Sequence, residues 1–196
     1  MRRQSSPAGR LAVALAVLCA TSGPSRLVAA EALPPEWEPG CSPVPLTCTA
    51  GSGDLQLDFV RHTLAWKWKG SGLVDISDVS NPTITDRYDF CVYDGSNALV
   101  LATGVAAAEI CSGRPCWKAR SWGFLYRDPF GSMGGLTKIM LKAASRRRDR
   151  FLVQAAGAAL PMPADVPAPP LVVQLVRTPQ HTLIPEACWT STHPSS

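Results

Sequence analysis

From Asp54 onward, apolar and polar positions alternate with a period of two rather than 3.6, the pattern of half-buried strands. In residues 54–60, Leu55, Leu57 and Phe59 share one face, with Gln56 and Asp58 opposite. In residues 62–70, Leu64, Trp66 and Trp68 alternate with Ala65, Lys67 and Lys69. These two segments read as antiparallel neighbours joined by a tight connection. Further strands are expected in RYDFCVYD (87–94), NALVLATGVAA (97–107), WGFLYRD (122–128), TKIMLKA (137–143), RFLVQAAG (150–157), LVVQLV (171–176) and ACWTS (187–191). Turn signals separate them: Asn81-Pro82, Asp94-Gly95, the Gly-rich DPFGSMGG and the SRRRD tip. The stretch LPMPADVPAPP (160–170) reads as an extended crossing that cannot pair as a central strand. The Lys- and Arg-rich segment 135–151 is the one place where a helix competes, and its alternating, β-branched start favours a hairpin. The expectation is an all-β fold: a disulfide-stapled antiparallel β-sandwich, immunoglobulin-like or jelly-roll-like, in a single domain over 54–192 with a short tail at 193–196.

The first 30 residues lack this alternation. Arg2, Arg3 and Arg10 precede an apolar run at 11–20, and Val28-Ala29-Ala30 offers small residues for a signal peptidase, so 1–30 reads as an export signal cleaved before Glu31. The run is shorter than the roughly 20 residues that span a bilayer, and no later segment is longer, so no membrane span is expected. The expected destination is secreted or periplasmic. Residues 31–53, rich in Pro, Gly and Ser, read as an irregular lead-in.

Removing that segment changes the charge picture. The chain carries 19 Lys and Arg against 15 Asp and Glu, and the four arginines of 1–30 have no acid beside them; without them the balance is 15 of each. No global pull toward nucleic acid or anionic lipid is expected. Cysteine counting changes as well. Cys19 leaves with the signal, and Cys41, Cys48, Cys91, Cys111, Cys116 and Cys188 remain. An even number in an exported chain reads as disulfides. The pairing expected among the many allowed is Cys41–Cys48, Cys91–Cys188 and Cys111–Cys116. The Cys111–x4–Cys116 spacing is not that of a C-x-x-C redox pair, and Gly113 and Pro115 suit a tight stapled loop.

Candidate chemistry is sparse. Arg146, Arg147 and Arg148, with Arg150, form a contact for a polyanion such as an acidic polysaccharide or, as favoured here, a solvated hairpin tip. Trp66 and Trp68 are candidates for stacking on sugar rings, weighed against a core role, which Leu64 on the same face supports. Trp122 is a third ligand-binding candidate. Trp117, Trp122 and Trp189, each beside a cysteine or a glycine, are expected to pack on disulfides. Asp75, Asp78, Asp86, Asp89 and Asp94 read as turn and cap residues rather than a calcium loop, since their spacing matches no EF-hand. No metal ligands, cofactor or catalytic residues are assigned: there is no nucleophile elbow, H-E-x-x-H or P-loop.

The strings WKWKG (66–70), NPT (81–83), CVYDG (91–95), C-x4-CWK (111–118), GFxYxD (123–128), K-x-x-LK (138–142), VQL (173–175) and CW (188–189) together resemble a family of uncharacterised secreted bacterial β-domains. The resemblance spans most of residues 41–190. It implies the domain limits and the disulfides, and it implies no activity. The expected function is a non-catalytic binding or surface-interaction module, not an enzyme, with a glycan or surface protein as partner. The alternatives are a carbohydrate-binding module using Trp66, Trp68 or Trp122, and an envelope-polymer hydrolase using a facing pair of Asp carboxylates.

Overall fold

The computed structural model describes residues 40–70, 74–143, 149–182 and 184–194, all within the unit Trp37–Ser196. The expected export signal, residues 31–39 of the lead-in and Arg146–148 lie outside the described residues.

The alternating segments become strands in chain order: β1 (Thr49–Asp58), β2 (Thr63–Gly70), β3 (Asp86–Tyr93), β4 (Leu99–Val105), β5 (Ile110–Cys111), β6 (Arg114–Pro115), β7 (Trp117–Arg120), β8 (Gly123–Arg127), β9 (Leu136–Lys142), β10 (Arg150–Ala156), β11 (Leu171–Pro179) and β12 (Ala187–His193). One short helix, α1 (Ile76–Val79), follows β2; Asp75 and Asp78 form its capping box. Among the described residues, ten strands form one sheet in the order β4-β3-β11-β12-β1-β2-β10-β9-β8-β7. Segment 135–151 is the expected hairpin: Phe151 faces Leu141 and Val153 faces Ile139 across β9 and β10.

The all-β reading holds, with one departure from a purely antiparallel plan. Thr49 and Ala50 pair in parallel with Trp189 and Thr190 of β12, whereas Gly51 to Asp58 pair antiparallel with β2. β1 thereby joins two halves of a single curled sheet. Ring pairs cross from one half to the other: Trp66 with Phe90 at 5.6 Å, Phe151 with Trp189 at 4.8 Å, and Trp117 with Tyr88 at 5.6 Å. The core lies between these inner faces, and each such pair adds about 0.5–1.5 kcal/mol beyond area burial.

The first strand starts at Thr49, five residues before the expected alternation. The Gly-Ser-Gly at 51–53 that resembled a loop is strand whose missing side chains make room. A Cβ on Gly51 would stand 2.4 Å from the Trp68 indole, and one on Gly53 would stand 2.2 Å from Ser191 Oγ. His193, expected in the tail, is the last residue of β12 and faces inward.

The cysteine pairing corrects two of the three expected bonds. The disulfides are Cys41–Cys91, Cys48–Cys188 and Cys111–Cys116. The parallel register decides the second, because pairing Thr49 with Trp189 sets Cys48 beside Cys188. Cys41 is then free to reach Cys91, on the outer face of β3. Segment 40–48 thus forms a strap over the outer face of β3 and β11. Gln174 accepts a hydrogen bond from Leu46 N at 3.1 Å and donates one to Leu46 O at 2.7 Å. Tyr93 donates to Ser42 O at 3.0 Å, and burial pushes its hydroxyl up to about 12, so it stays a donor at neutral pH. Cys41 and Leu46 pack on Cys91, Tyr93 and Val176 in a small second core.

Candidate functional site

Two of the ligand-binding candidates considered from sequence are used up by the fold. Trp66 and Trp68 are 0 % exposed, which removes them as sugar-stacking residues. Their indole N–H groups are bonded inside, Trp66 to Ser191 Oγ at 2.8 Å and Trp68 to Thr190 O at 3.0 Å. Trp122 is half-buried in the β7–β8 turn, where its carbonyl accepts from Ala143 N at 3.0 Å. Trp117 meets Tyr88 at a tilt and Tyr126 edge-on, in the same core cluster as Cys111 and Cys116; the Tyr126 hydroxyl lies 3.8 Å from Cys111 Sγ. Trp189 faces the core while Cys188 bonds on the other side of β12, as strand alternation requires.

The aspartates have separate tasks. Asp75 and Asp78 cap α1, and Asp94 Oδ1 accepts from Ser96 N, Ser96 Oγ and Ala98 N in the β3–β4 turn. Asp86 is bonded to Arg177 at 2.6 Å, and Glu186 holds the other end of that guanidinium at 2.9 Å. Burial alone would raise the Asp86 carboxyl, but hydrogen bonds from Thr85 and Arg177 outweigh it and hold the group below the ordinary carboxylate range. Asp89, sealed under Gly40 and bonded to Arg87, is raised by burial.

One serine–histidine pair escaped the sequence reading. Ser191 Oγ lies 3.0 Å from His193 Nε2, the two projecting from one face of β12 at i and i+2. They are only 3 % and 7 % exposed, enclosed by the core, and Ser191 Oγ already accepts the Trp66 N–H. The pair satisfies a buried indole. A cleft of about 660 Å³ beside the Cys48–Cys188 bond contains Asp78 and Glu186, but those carboxylates serve the α1 cap and Arg177.

The surface that remains is the outer face of β2, β10, β9, β8 and β7. Register sorts its outward residues into three rows running across the strands. The first is Lys69–Arg150–Lys142, ending near Arg120 of β7. The second is Lys67–Leu152–Met140–Leu125–Lys118. The third is Ala65–Gln154–Lys138–Arg127. Among the described outward residues of these strands there is no carboxylate; Asp54 of neighbouring β1 stands 3.8 Å from Lys67. Adjacent strands are about 4.8 Å apart and rows about 7 Å apart, so the Lys69–Arg150–Lys142 row runs beside Leu152, Met140 and the buried Leu125, with Lys138 and Arg127 on their other side. Like charges directly opposite across strands destabilise a sheet. Two unit charges about 6 Å apart repel by about 0.7 kcal/mol even in bulk water, and that separation is inside the Debye length at physiological salt. The strap covers the outer face of β3 and β11, whereas Lys67, Lys69, Lys118, Arg120, Arg127 and Arg150 on this face are exposed.

Sequence reading missed this face because its cations come from five strands, one or two at a time, in a chain without net charge once residues 1–30 are set aside. The signal that was present, Lys or Arg at alternate positions of β2 and β9, was read only as the solvent side of strands. No protein-family model matches the chain, and no curated protein or solved structure shows significant similarity to it.

Proposed function

We propose that this protein is an exported, non-catalytic module that docks on an anionic polymer through the outer face of β2, β10, β9, β8 and β7. The observation that carries the reading is the Lys69–Arg150–Lys142 row, three cations facing one another across adjacent strands without an interleaved acid. A polyanion laid across the row relieves repulsion that the free protein must tolerate. Three further arginines, Arg146 to Arg148, lie in the sequence between Lys142 and Arg150. Trp122 adjoins the same row through Gly123, which pairs with Lys142. Export is supported by the N-terminal pattern and by three disulfides, which persist in oxidising compartments. Among the described residues no helix is long and apolar enough to cross a membrane.

Affinity chromatography and calorimetry on dextran sulfate, with neutral dextran as control, test the reading. Binding should fall with a linear log–log dependence on salt, the signature of counterion release. Lys69→Gln/Lys142→Gln should shallow that slope by roughly the two contacts removed. Equal affinity for dextran and dextran sulfate, or a slope the double variant leaves unchanged, overturns it.

A further inference from the structure

At the Arg127 end of the cationic face, a cleft of about 380 Å³ opens between the Cys111–Cys116 hairpin and the loop after β8. Arg114, Lys118 and Arg127 line it, and none of its lining residues is acidic. Pro115 and Pro129 are also part of the lining, and Phe130, 80 % exposed, lines the cleft as well. Both sides are held in place. The disulfide closes the hairpin that carries Arg114. On the other side the buried Asp128 carboxylate accepts from Phe130 N at 3.1 Å and from Ser132 N at 2.6 Å, so the loop presenting Phe130 is tied to the end of β8. An aromatic ring kept in water on an anchored loop beside three cations is a pre-organised recognition surface.

We infer that this cleft binds a uronate sugar unit, its C–H face on the Phe130 ring and its carboxylate among Arg114, Lys118 and Arg127. Aromatic rings receive the apolar face of a pyranose, and guanidinium forks match planar oxyanions. The inference rests on the polyanion reading of the adjoining face and narrows it: the polymer is an acidic polysaccharide, and the cleft reads one of its units while the rows hold its length.

The test uses the full chain with trigalacturonate and polygalacturonate, followed by calorimetry. Trigalacturonate should bind in the cleft, and Phe130→Ala, at an exposed position that leaves the fold intact, should weaken it about thirtyfold, the scale of a hot-spot aromatic. Arg114→Gln should weaken it similarly. Lys69→Gln/Lys142→Gln should leave trimer binding within about threefold but weaken polymer binding much more. If the polymer binds and the trimer does not, or if trimer affinity ignores both Phe130→Ala and Arg114→Gln, the cleft assignment falls while the face reading stands. Binding of dextran sulfate but of neither uronide also removes the acidic-sugar assignment alone. Binding only to duplex DNA removes the cleft assignment and leaves the face reading, whereas binding only to phosphatidylglycerol vesicles, and to no anionic polymer, overturns both.

Discussion

His193 and Ser191 project from the same face of β12 and share one hydrogen bond inside the core. Burial lowers the His193 imidazole below its ordinary value, with the charge of Asp54 opposing weakly. The unfolded chain takes up a proton as pH falls through about 6.5, while the folded chain resists it. Stability is therefore complete above pH 6.5 and declines as pH falls from there toward the folded-state pKa. Urea unfolding at pH 7.5 and 5.5 should show that decline, and His193→Gln should flatten it; an unchanged decline would assign it to another group. Gly53 is the neighbouring constraint. Adding a methyl 2.2 Å from Ser191 Oγ forces one strand aside, so Gly53→Ala should cost about 1–3 kcal/mol in the same assay. Neither effect was legible from sequence, where Gly53 belonged to a lead-in and His193 to a tail. Both residues matter only because β1 and β12 meet.

At the scale of elements, the strap and its bonds set the hierarchy. In the chain-entropy model, Cys48–Cys188, separated by 140 residues, contributes about 5 kcal/mol. Cys41–Cys91, separated by 50, contributes about 4 kcal/mol, and Cys111–Cys116, separated by 5, about 2 kcal/mol. Paired Cys→Ala variants should lose stability in that order by urea unfolding, and a Cys111/Cys116 variant that lost most would contradict the scheme. Gln174 shows how much of this was hidden. It alternates in β11 as a solvent-facing polar residue should, yet it is buried because the strap lies over it. Local periodicity gives the strand and the face; it does not say what chain segment returns to cover that face.

For the whole molecule, the distribution of charge matters more than its sum. The sum vanishes once residues 1–30 are excluded, while one face of five strands collects cations and Asp75, Asp78, Asp86, Asp89, Asp94 and Asp128 are placed in a cap, turns and buried pairs. This gives a prediction with opposite signs. Lys142→Gln should raise the melting temperature slightly, by a few tenths of a kcal/mol of relieved repulsion, while reducing affinity for dextran sulfate. A variant that lost both stability and binding would mean that Lys142 serves the fold rather than a ligand. Trp66 and Trp68 mark the opposite boundary: the sequence offered them as sugar platforms, and the facing half of the sheet claims them for the core.

What the sequence determined by itself is whatever depends on near neighbours. Alternation set the strands, turn residues set the hairpins, and the close spacing of Cys111 and Cys116 set the one bond predicted correctly. The tertiary structure decided what depends on distant segments meeting. The parallel contact of β1 with β12 fixed two disulfides, buried a serine–histidine pair and curled the sheet. Register across five strands then assembled scattered lysines and arginines into one face, because side chains two residues apart in sequence become rows only when the neighbouring strand is known.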